Sequence, residues 1–184
     1  IISNLTIINE DRSKTSVTTA YCGFFGRCTN AKIKNLAIEN MTIKFYNHDY
    51  YYTDSLKTRT SYSGVMVGEA YNTSFINCYV ENSSVRNMQR DCADIALGGF
   101  VGNAVGSSAV ENCYVYHTDI CSGQNACLGG FFGYVSSGTP KFKNCFVADV
   151  KQNTSGTSHD GVLATTYGFG CSNGMSITTE NCYS

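Results

Sequence analysis

Short apolar runs separated by polar residues recur along this chain and predict β-strands joined by tight turns. The last four runs each contain an Asn-Cys-aromatic triplet: FINCYV (75–80), VENCYV (110–115), FKNCFV (142–147) and TENCYS (179–184). In the second of these, Val110, Cys113 and Val115 are the apolar positions around Asn112. Strict alternation along a strand would place Val110 and Cys113 on opposite faces. Since both are apolar, the pattern predicts that the strand bends at the Asn, a residue that tolerates the left-handed region.

A glycine-rich motif precedes the last five copies of the Asn at a nearly constant distance. It occurs as GFFG (23–26), GVMVG (64–68), GGFVG (98–102), GGFFG (129–133) and YGFG (167–170), and its last Gly stands 9 to 11 residues before the Asn. The motif asparagines are Asn4, Asn35, Asn77, Asn112, Asn144 and Asn181, which are 31 to 42 residues apart. Two motifs at a fixed offset indicate a repeat protein whose unit is strand, glycine-rich turn, strand.

Composition agrees with an all-β chain, because 18 Gly provide turns while 13 Tyr and 10 Phe suit strands. We predict one domain, residues 1–184, folded as a parallel β-solenoid or β-helix-like stack of about five to six repeats. The predicted corner asparagines bond to one another along the stack: Asn35, Asn77, Asn112, Asn144 and Asn181. The cysteines that follow them form a buried column: Cys78, Cys113, Cys145 and Cys182.

The combination of GGFVG with VENCYV resembles the Gly-rich repeats, called GLUG motifs, of large bacterial surface proteins and adhesins, with relatives in some protists. The resemblance covers residues 23–184 and, more faintly, the first seven residues. It implies a β-solenoid that serves as a stalk or scaffold. It implies little about activity, since such arrays occur in otherwise different proteins.

The ten cysteines predict an oxidising compartment and disulfides. No CxxC pair occurs, and His48, His117 and His159 lack zinc-ligand spacing, so no metal or cofactor is predicted. The disulfide candidates are Cys22, Cys28, Cys92, Cys121, Cys127 and Cys171. Cys22 with Cys28 and Cys121 with Cys127 are local pairings, which leave Cys92 with Cys171. Pairing of Cys92 with Cys121 or Cys127 is one open alternative, and ten reduced, buried cysteines are the other.

Net charge, hydropathy and the placement of acidic residues argue against several classes of function. A formal net charge of −1 provides no field for nucleic acid, and no apolar run is long enough for a transmembrane helix. Acidic residues do not occupy equivalent positions in successive repeats, because Lys143 stands at the position that Glu111 and Glu180 hold in the repeats before and after it. An enzyme is therefore not predicted, and a polysaccharide lyase or glycosidase is the least favoured functional hypothesis. The sequons, candidates for glycosylation, are Asn40, Asn72, Asn82, Asn153 and Asn4.

A Tyr-rich insertion, residues 46–62, is the candidate binding surface, since exposed tyrosines suit sugar stacking or a protein interface. Its members are Tyr46, Tyr50, Tyr51, Tyr52 and Tyr62. The alternative is that they cover an open edge of the stack. An adhesin or carbohydrate-binding module that uses this insertion is the second functional hypothesis.

The leading hypothesis is an extracellular or cell-surface structural protein, a segment or subunit of a filament or stalk, stapled by disulfides and glycosylated. Both ends of the sequence are of core type and lack a polar cap, so we expect end-to-end association with further copies or repeats. Glycans are the other expected partners, while nucleic acid and membrane insertion are not expected.

Overall fold

The computed structural model describes residues 1–11, 19–47, 60–88, 94–123, 126–154, 165–172 and 176–184. Every regular element in these residues is a β-strand, and all strand pairs are parallel and join equivalent segments of successive coils. The prediction of an all-β, parallel β-solenoid is therefore confirmed.

Each coil passes through four sheets, A to D, in that order. Sheet A has eight strands: β1 (Ile2–Ser3), β2 (Thr6–Asp11), β6 (Ala37–Glu39), β7 (Thr42–Asn47), β11 (Tyr79–Glu81), β12 (Ser84–Asn87), β16 (Tyr114–Ser122) and β20 (Phe146–Thr154). Each coil crosses sheet A in two consecutive segments, and these segments form the two halves of the sheet. In the first three coils a corner separates the halves into two strands, whereas β16 and β20 run through both halves.

The other three sheets have five strands each. Sheet B contains β3 (Thr19–Cys22), β8 (Thr60–Gly64), β13 (Asp94–Gly98), β17 (Cys127–Gly129) and β21 (Thr165–Tyr167). Sheet C contains β4 (Phe25–Thr29), β9 (Val67–Tyr71), β14 (Val101–Val105), β18 (Phe132–Ser137) and β22 (Gly170–Ser172). Sheet D contains β5 (Lys32–Lys34), β10 (Ser74–Ile76), β15 (Ala109–Glu111), β19 (Lys141–Lys143) and β23 (Thr178–Glu180).

The repeat count is slightly lower than the sequence predicts. Five strands in each of sheets B, C and D are separated by four turns of the solenoid. The sixth unit was inferred from Asn4, and that assignment is wrong. Ile2 pairs with Ile38, so Asn4 lies beside Asn40 rather than in the column of Asn35. The first coil therefore spans 38 − 2 = 36 residues and not 31.

Aliphatic columns from sheet A line the core. Ile38, Val80 and Val115 are in register in successive coils and are fully buried. Ile43 and Val85 form a second buried column in the other half of the sheet. Burial of these side chains stabilises the stack by roughly 1.5–3 kcal/mol each, and the contribution repeats in every coil.

The glycine-rich motifs join sheet B to sheet C, and in the middle three coils the turns they form are buried. Phe100 and Phe131, at the turn tips, have no exposed surface, and their ring centroids are 5.2 Å apart. The sequence predicted these motifs as turns but did not place them in the interior, which the tips of the middle three turns fill. Sheets B and C pack so closely here that a Cβ on Gly102 would lie 2.5 Å from the Ser63 nitrogen. Only glycine fits that distance.

Candidate functional site: the ladders and corners of the stack

An asparagine ladder runs along the corner between sheets D and A. Asn112 has a φ of 52°, in the left-handed region, which turns the chain from β15 into β16. Its Nδ2 donates to Asn77 Oδ1 at 3.1 Å, and its own Oδ1 accepts from Asn144 Nδ2 at 2.9 Å. The ladder continues at both ends, from Asn77 to Asn35 at 3.1 Å and from Asn181 to Asn144 at 3.3 Å. Five exposed amides thus bond to each other along the axis.

The four cysteines that follow these asparagines stack inside the same corner as free thiols. The backbone N–H of Cys78 donates to Cys113 Sγ, and that of Cys145 donates to Cys182 Sγ, both at 3.4 Å. Each thiol donates in turn to a backbone carbonyl, as Cys113 does to Glu111 O at 3.1 Å. The contact with Cys78 and burial raise the pKa of Cys113, and burial raises the pKa of Cys145 to about 11. Cys113 and Cys145, which are buried and protonated, behave as small apolar side chains.

The local disulfides predicted from the sequence are absent. Cys22, Cys28 and Cys121 are free thiols, so neither the Cys22–Cys28 nor the Cys121–Cys127 bridge is formed. Cys22 ends β3 and faces the core, whereas Cys28 lies in β4, beyond the turn in the next sheet. Cys121 and Cys127 likewise belong to different sheets, A and B.

The remaining pairing involves Cys92 and Cys171. Cys92 and the Cys171 side chain lie outside the described residues. A bridge between these two cysteines stays a prediction.

An aromatic ladder lies on the outer face of sheet A, immediately after the cysteine column. The rings of Tyr79, Tyr114, Phe146 and Tyr183 are stacked within 4° of parallel, at centroid distances of 4.6, 4.8 and 5.1 Å. The Tyr79 hydroxyl donates to Glu39 Oε1 at 2.6 Å, and this bond to a carboxylate raises the pKa of Tyr79 to about 12. We did not predict this ladder, although the aromatic residue after each motif Cys is its signal in the sequence.

A second left-handed corner divides sheet A into its halves. It contains Asn4, Asn40, Asn82, His117 and Asp149, all with φ between 48° and 59°. In the last two coils a hydrogen bond at 2.5 Å joins His117 Nδ1 and Asp149 Oδ2, and both side chains are exposed. Sequence reasoning missed this corner, yet four of its members follow a ladder asparagine by five residues: Asn40, Asn82, His117 and Asp149.

A third left-handed corner joins sheet C to sheet D. Asn30 and Asn72 occupy it in the first two coils, and Gly106 and Gly138 occupy it in the next two. Asn72 is exposed, and its Oδ1 accepts a hydrogen bond from the Ser107 backbone nitrogen at 3.1 Å. The remaining sequon residue, Asn153, is exposed in β20 beside Cys121. The five sequon asparagines are therefore all exposed, at two of the three corners and on one sheet face.

The predicted tyrosine surface is described only in part. Tyr50, Tyr51 and Tyr52 and the side chain of Tyr46 lie outside the described residues, so this binding surface stays a prediction. Tyr62 is half-buried in β8, with its ring centroid 6.1 Å from that of Tyr21 in the preceding coil.

A buried carboxylate links three coils beside the Tyr21 ring. Glu69 is 6% exposed, and its Oε1 lies 2.7 Å from Arg27 Nε. Its Oε2 accepts from Asn103 Nδ2 at 3.1 Å, and the Arg27 guanidinium lies 5.5 Å from the Tyr21 ring centroid. Arg27, Glu69 and Asn103 are register partners in sheet C. The buried charge is thus compensated within the stack.

The described residues contain no group of three or more His, Cys, Asp or Glu side chains placed to hold a metal ion. In the same residues, no helix has the length and hydropathy needed to cross a membrane. In sheet D, Lys143 Nζ forms an exposed ion pair with Glu180 Oε1 of the next coil at 2.9 Å. Comparison with known proteins yields no match to a family model, a curated protein or a solved structure. The ladders and corners are therefore the features that bear on function.

Proposed function

We propose that this chain is an extracellular structural protein, a segment or subunit of a filament or cell-surface stalk. The observation that carries the proposal is that its most repeated residues bond to their own equivalents one coil away. Amides, thiols and aromatic rings each form such a column, as Asn112, Cys113 and Tyr114 do in adjacent positions. Contacts that recur with every added coil favour length and stiffness, because each coil is stabilised by its neighbours.

Exposed apolar side chains at both ends of the stack support continuation along the axis. Ile1 is 82% exposed in the first coil, and Phe25 is exposed in the same coil. At the other end Tyr183, the last ring of the aromatic ladder, is 64% exposed. The outer edges of β3 and β21 have no strand paired with them in the part of the chain that the structure describes. A second copy stacked on either end would cover these groups.

The proposed location outside the cell has separate support. The exposed sequons suit a glycoprotein, and the resemblance to GLUG repeats suits a surface protein. The proposed location does not rest on bridges at Cys22, Cys28 or Cys121, which are free thiols.

Electron microscopy of the purified chain over a range of concentrations tests the structural role. We expect filaments whose axial repeat is about 4.8 Å, the spacing of hydrogen-bonded strands, because the coils stack along the filament axis. Dispersed single particles at every concentration would contradict end-to-end assembly.

A further inference from the structure

Three of the five sequons fall at one corner of the stack. Ile2 pairs with Ile38 and Ile38 with Val80, which places Asn4, Asn40 and Asn82 side by side in successive coils. All three are exposed and left-handed, and the backbone nitrogen of each donates to the next coil. Neighbouring members are about 4.8 Å apart along the axis. This alignment is not visible in the sequence, where the first sequon matches either asparagine corner.

The two asparagine corners of sheet A differ in the residues that come after each Asn. Asn4, Asn40 and Asn82 begin Asn-Leu-Thr, Asn-Met-Thr and Asn-Ser-Ser, so all three are sequons. None of the five ladder asparagines, of which Asn112 is one, is followed two residues later by Ser or Thr. One column therefore forms an amide ladder without sequons, and the other carries sequons in its first three coils.

The side-chain amides of the two columns also have different partners. A ladder amide such as Asn112 donates to the coil before and accepts from the coil after. In the sequon column, Asn4 Nδ2 donates to the adjacent Ser3 Oγ and Asn82 Nδ2 to the adjacent Glu81 Oε1, both at 3.4 Å. These bonds are long and local. A substituent on Asn4 or Asn82 would leave the contacts between coils intact.

A preference of strands for Thr could by itself explain the hydroxyl residues at Thr6, Thr42 and Ser84. The last two coils argue against that explanation. There the corner Asn is replaced by His117 and Asp149, and the hydroxyl position two residues later becomes Asp119 and Lys151. At the position two residues after the corner, a hydroxyl residue is present in the three coils whose corner residue is Asn and absent in the two whose corner residue is His or Asp. Such pairing is expected if Asn and hydroxyl are needed together, as a sequon requires.

We propose that this corner, Asn4, Asn40 and Asn82, is the N-glycan attachment edge of the stack. In the reaction, Asn Nδ2 loses a proton and bonds to the anomeric carbon of an oligosaccharide. The bond that breaks joins this carbon to the pyrophosphate of a lipid-linked donor, which leaves with the electron pair. The inference rests on the proposed extracellular location, since the transfer takes place in the secretory pathway. Sugar on this edge would flank sheet A and leave both ends of the stack free to associate.

The test is site occupancy in protein secreted from eukaryotic cells, with an appended Asn-Gly-Thr reporter. An amidase that converts glycosylated Asn to Asp is applied in H2 18O, and the peptides are analysed by mass spectrometry. We expect 18O-labelled Asp at Asn4, Asn40 and Asn82. Bare asparagines at all three positions, with a labelled reporter, would overturn the proposal.

Matched variants distinguish the need for a sequon hydroxyl from the preference of a strand for a β-branched residue. Thr42→Val keeps a β-branched residue and should abolish labelling at Asn40, whereas Thr42→Ser should retain it. Tyr183→Thr creates a sequon at Asn181, whose Nδ2 donates to Asn144 Oδ1. Glycan there should lower the Tm relative to the same variant made in bacteria, which keeps an unmodified Asn181, while glycan at Asn40 should not. A Tm decrease of equal size at both sites would contradict the distinction between the columns.

Failure of this inference can be told apart from failure of the structural role. Protein made in bacteria carries no such glycan, so the filaments expected above are tested without sugar. Filaments with bare corner asparagines would refute the glycan edge alone. Glycosylated protein that never assembles would refute the filament alone.

Discussion

At the scale of single residues, each asparagine of the ladder has two separable roles. Its left-handed φ turns the chain, and its amide bonds to the coils above and below, as at Asn112. A left-handed conformation costs an ordinary L-residue about 1–2 kcal/mol, and each hydrogen bond contributes about 1 kcal/mol.

We predict that Asn112→Ala lowers the free energy of unfolding by about 2–3 kcal/mol, because it loses both the turn preference and the ladder bonds. Asn112→Gly is the matched control, since glycine adopts positive φ without strain and loses only the amide. It should cost about 1 kcal/mol less than the alanine variant. Urea denaturation measures both values. Equal losses would show that backbone strain plays no part at this corner.

The buried thiols predict a loss of stability at alkaline pH. Burial raises the pKa of Cys22 and of Cys145 to about 11, against about 8.5 for a thiol in the unfolded chain. Between these values the unfolded chain releases protons that the native state retains, so the free energy of unfolding falls as pH rises from about 9 to 11. The loss should reach about 3 kcal/mol for each thiol.

Denaturation at pH 8, 9, 10 and 11 measures this slope. Cys145→Ala should make it shallower than in the wild type, whatever its effect at pH 8. Cys121→Ala, at an outward position of β16, is the matched control for removing a thiol. A wild-type slope in Cys145→Ala would contradict the assignment to this column.

At the scale of strands and turns, the sequence was most informative where local chemistry decides the conformation. The two apolar positions around Asn112 implied a bend in the strand, and the chain turns at that residue. The second corner escaped prediction because it is occupied by Asn, His and Asp in turn, so no single letter repeats. For the same reason the sequence placed Asn4 in the column of Asn35. The segment that contains Asn4, ISNLTI (2–7), is instead the structural equivalent of IENMTI (38–43).

Burial of the glycine-rich turn and the state of the cysteines depended on long-range packing. Gly-rich motifs are typical of surface turns, and the sequence does not show that sheets B and C meet in the interior. An even number of cysteines suggested bridges, yet Cys22 and Cys28 lie on different sheets. Spacing along the chain could not show this separation.

The close approach of sheets B and C predicts unequal sensitivity at equivalent glycines. A Cβ on Gly102 would lie 2.5 Å from Ser63 N and 2.6 Å from Gly68 O, so Gly102→Ala should destabilise by about 3 kcal/mol or more. Gly26 holds the corresponding place in the first coil, where the nearest atom is Tyr21 O at 3.7 Å. Gly26→Ala should therefore change stability by less than about 1 kcal/mol.

Thermal denaturation of the two alanine variants gives this comparison directly. Similar melting temperatures for Gly102→Ala and Gly26→Ala would contradict the packing described for the turn.

At the scale of the whole molecule, the proposed end-to-end assembly depends on the open edges of the stack. The backbone groups of successive strand residues point to opposite sides. Thr178 N–H donates to Pro140 O and Glu180 O accepts from Asn144 N–H, so both residues face β19. Thr179, between them, points its N–H toward the open edge. Proline at this position removes a donor used only for pairing with a further coil.

Sedimentation velocity of the wild type, Thr179→Pro and Thr179→Ala tests end-to-end assembly most directly. We predict that the wild type and Thr179→Ala form larger species as concentration rises, because both retain the edge N–H. Thr179→Pro should remain monomeric while unfolding with the same far-ultraviolet circular dichroism transition as the monomeric wild type. A wild-type chain that stays monomeric at every concentration, or a proline variant that assembles equally well, would contradict the proposed assembly.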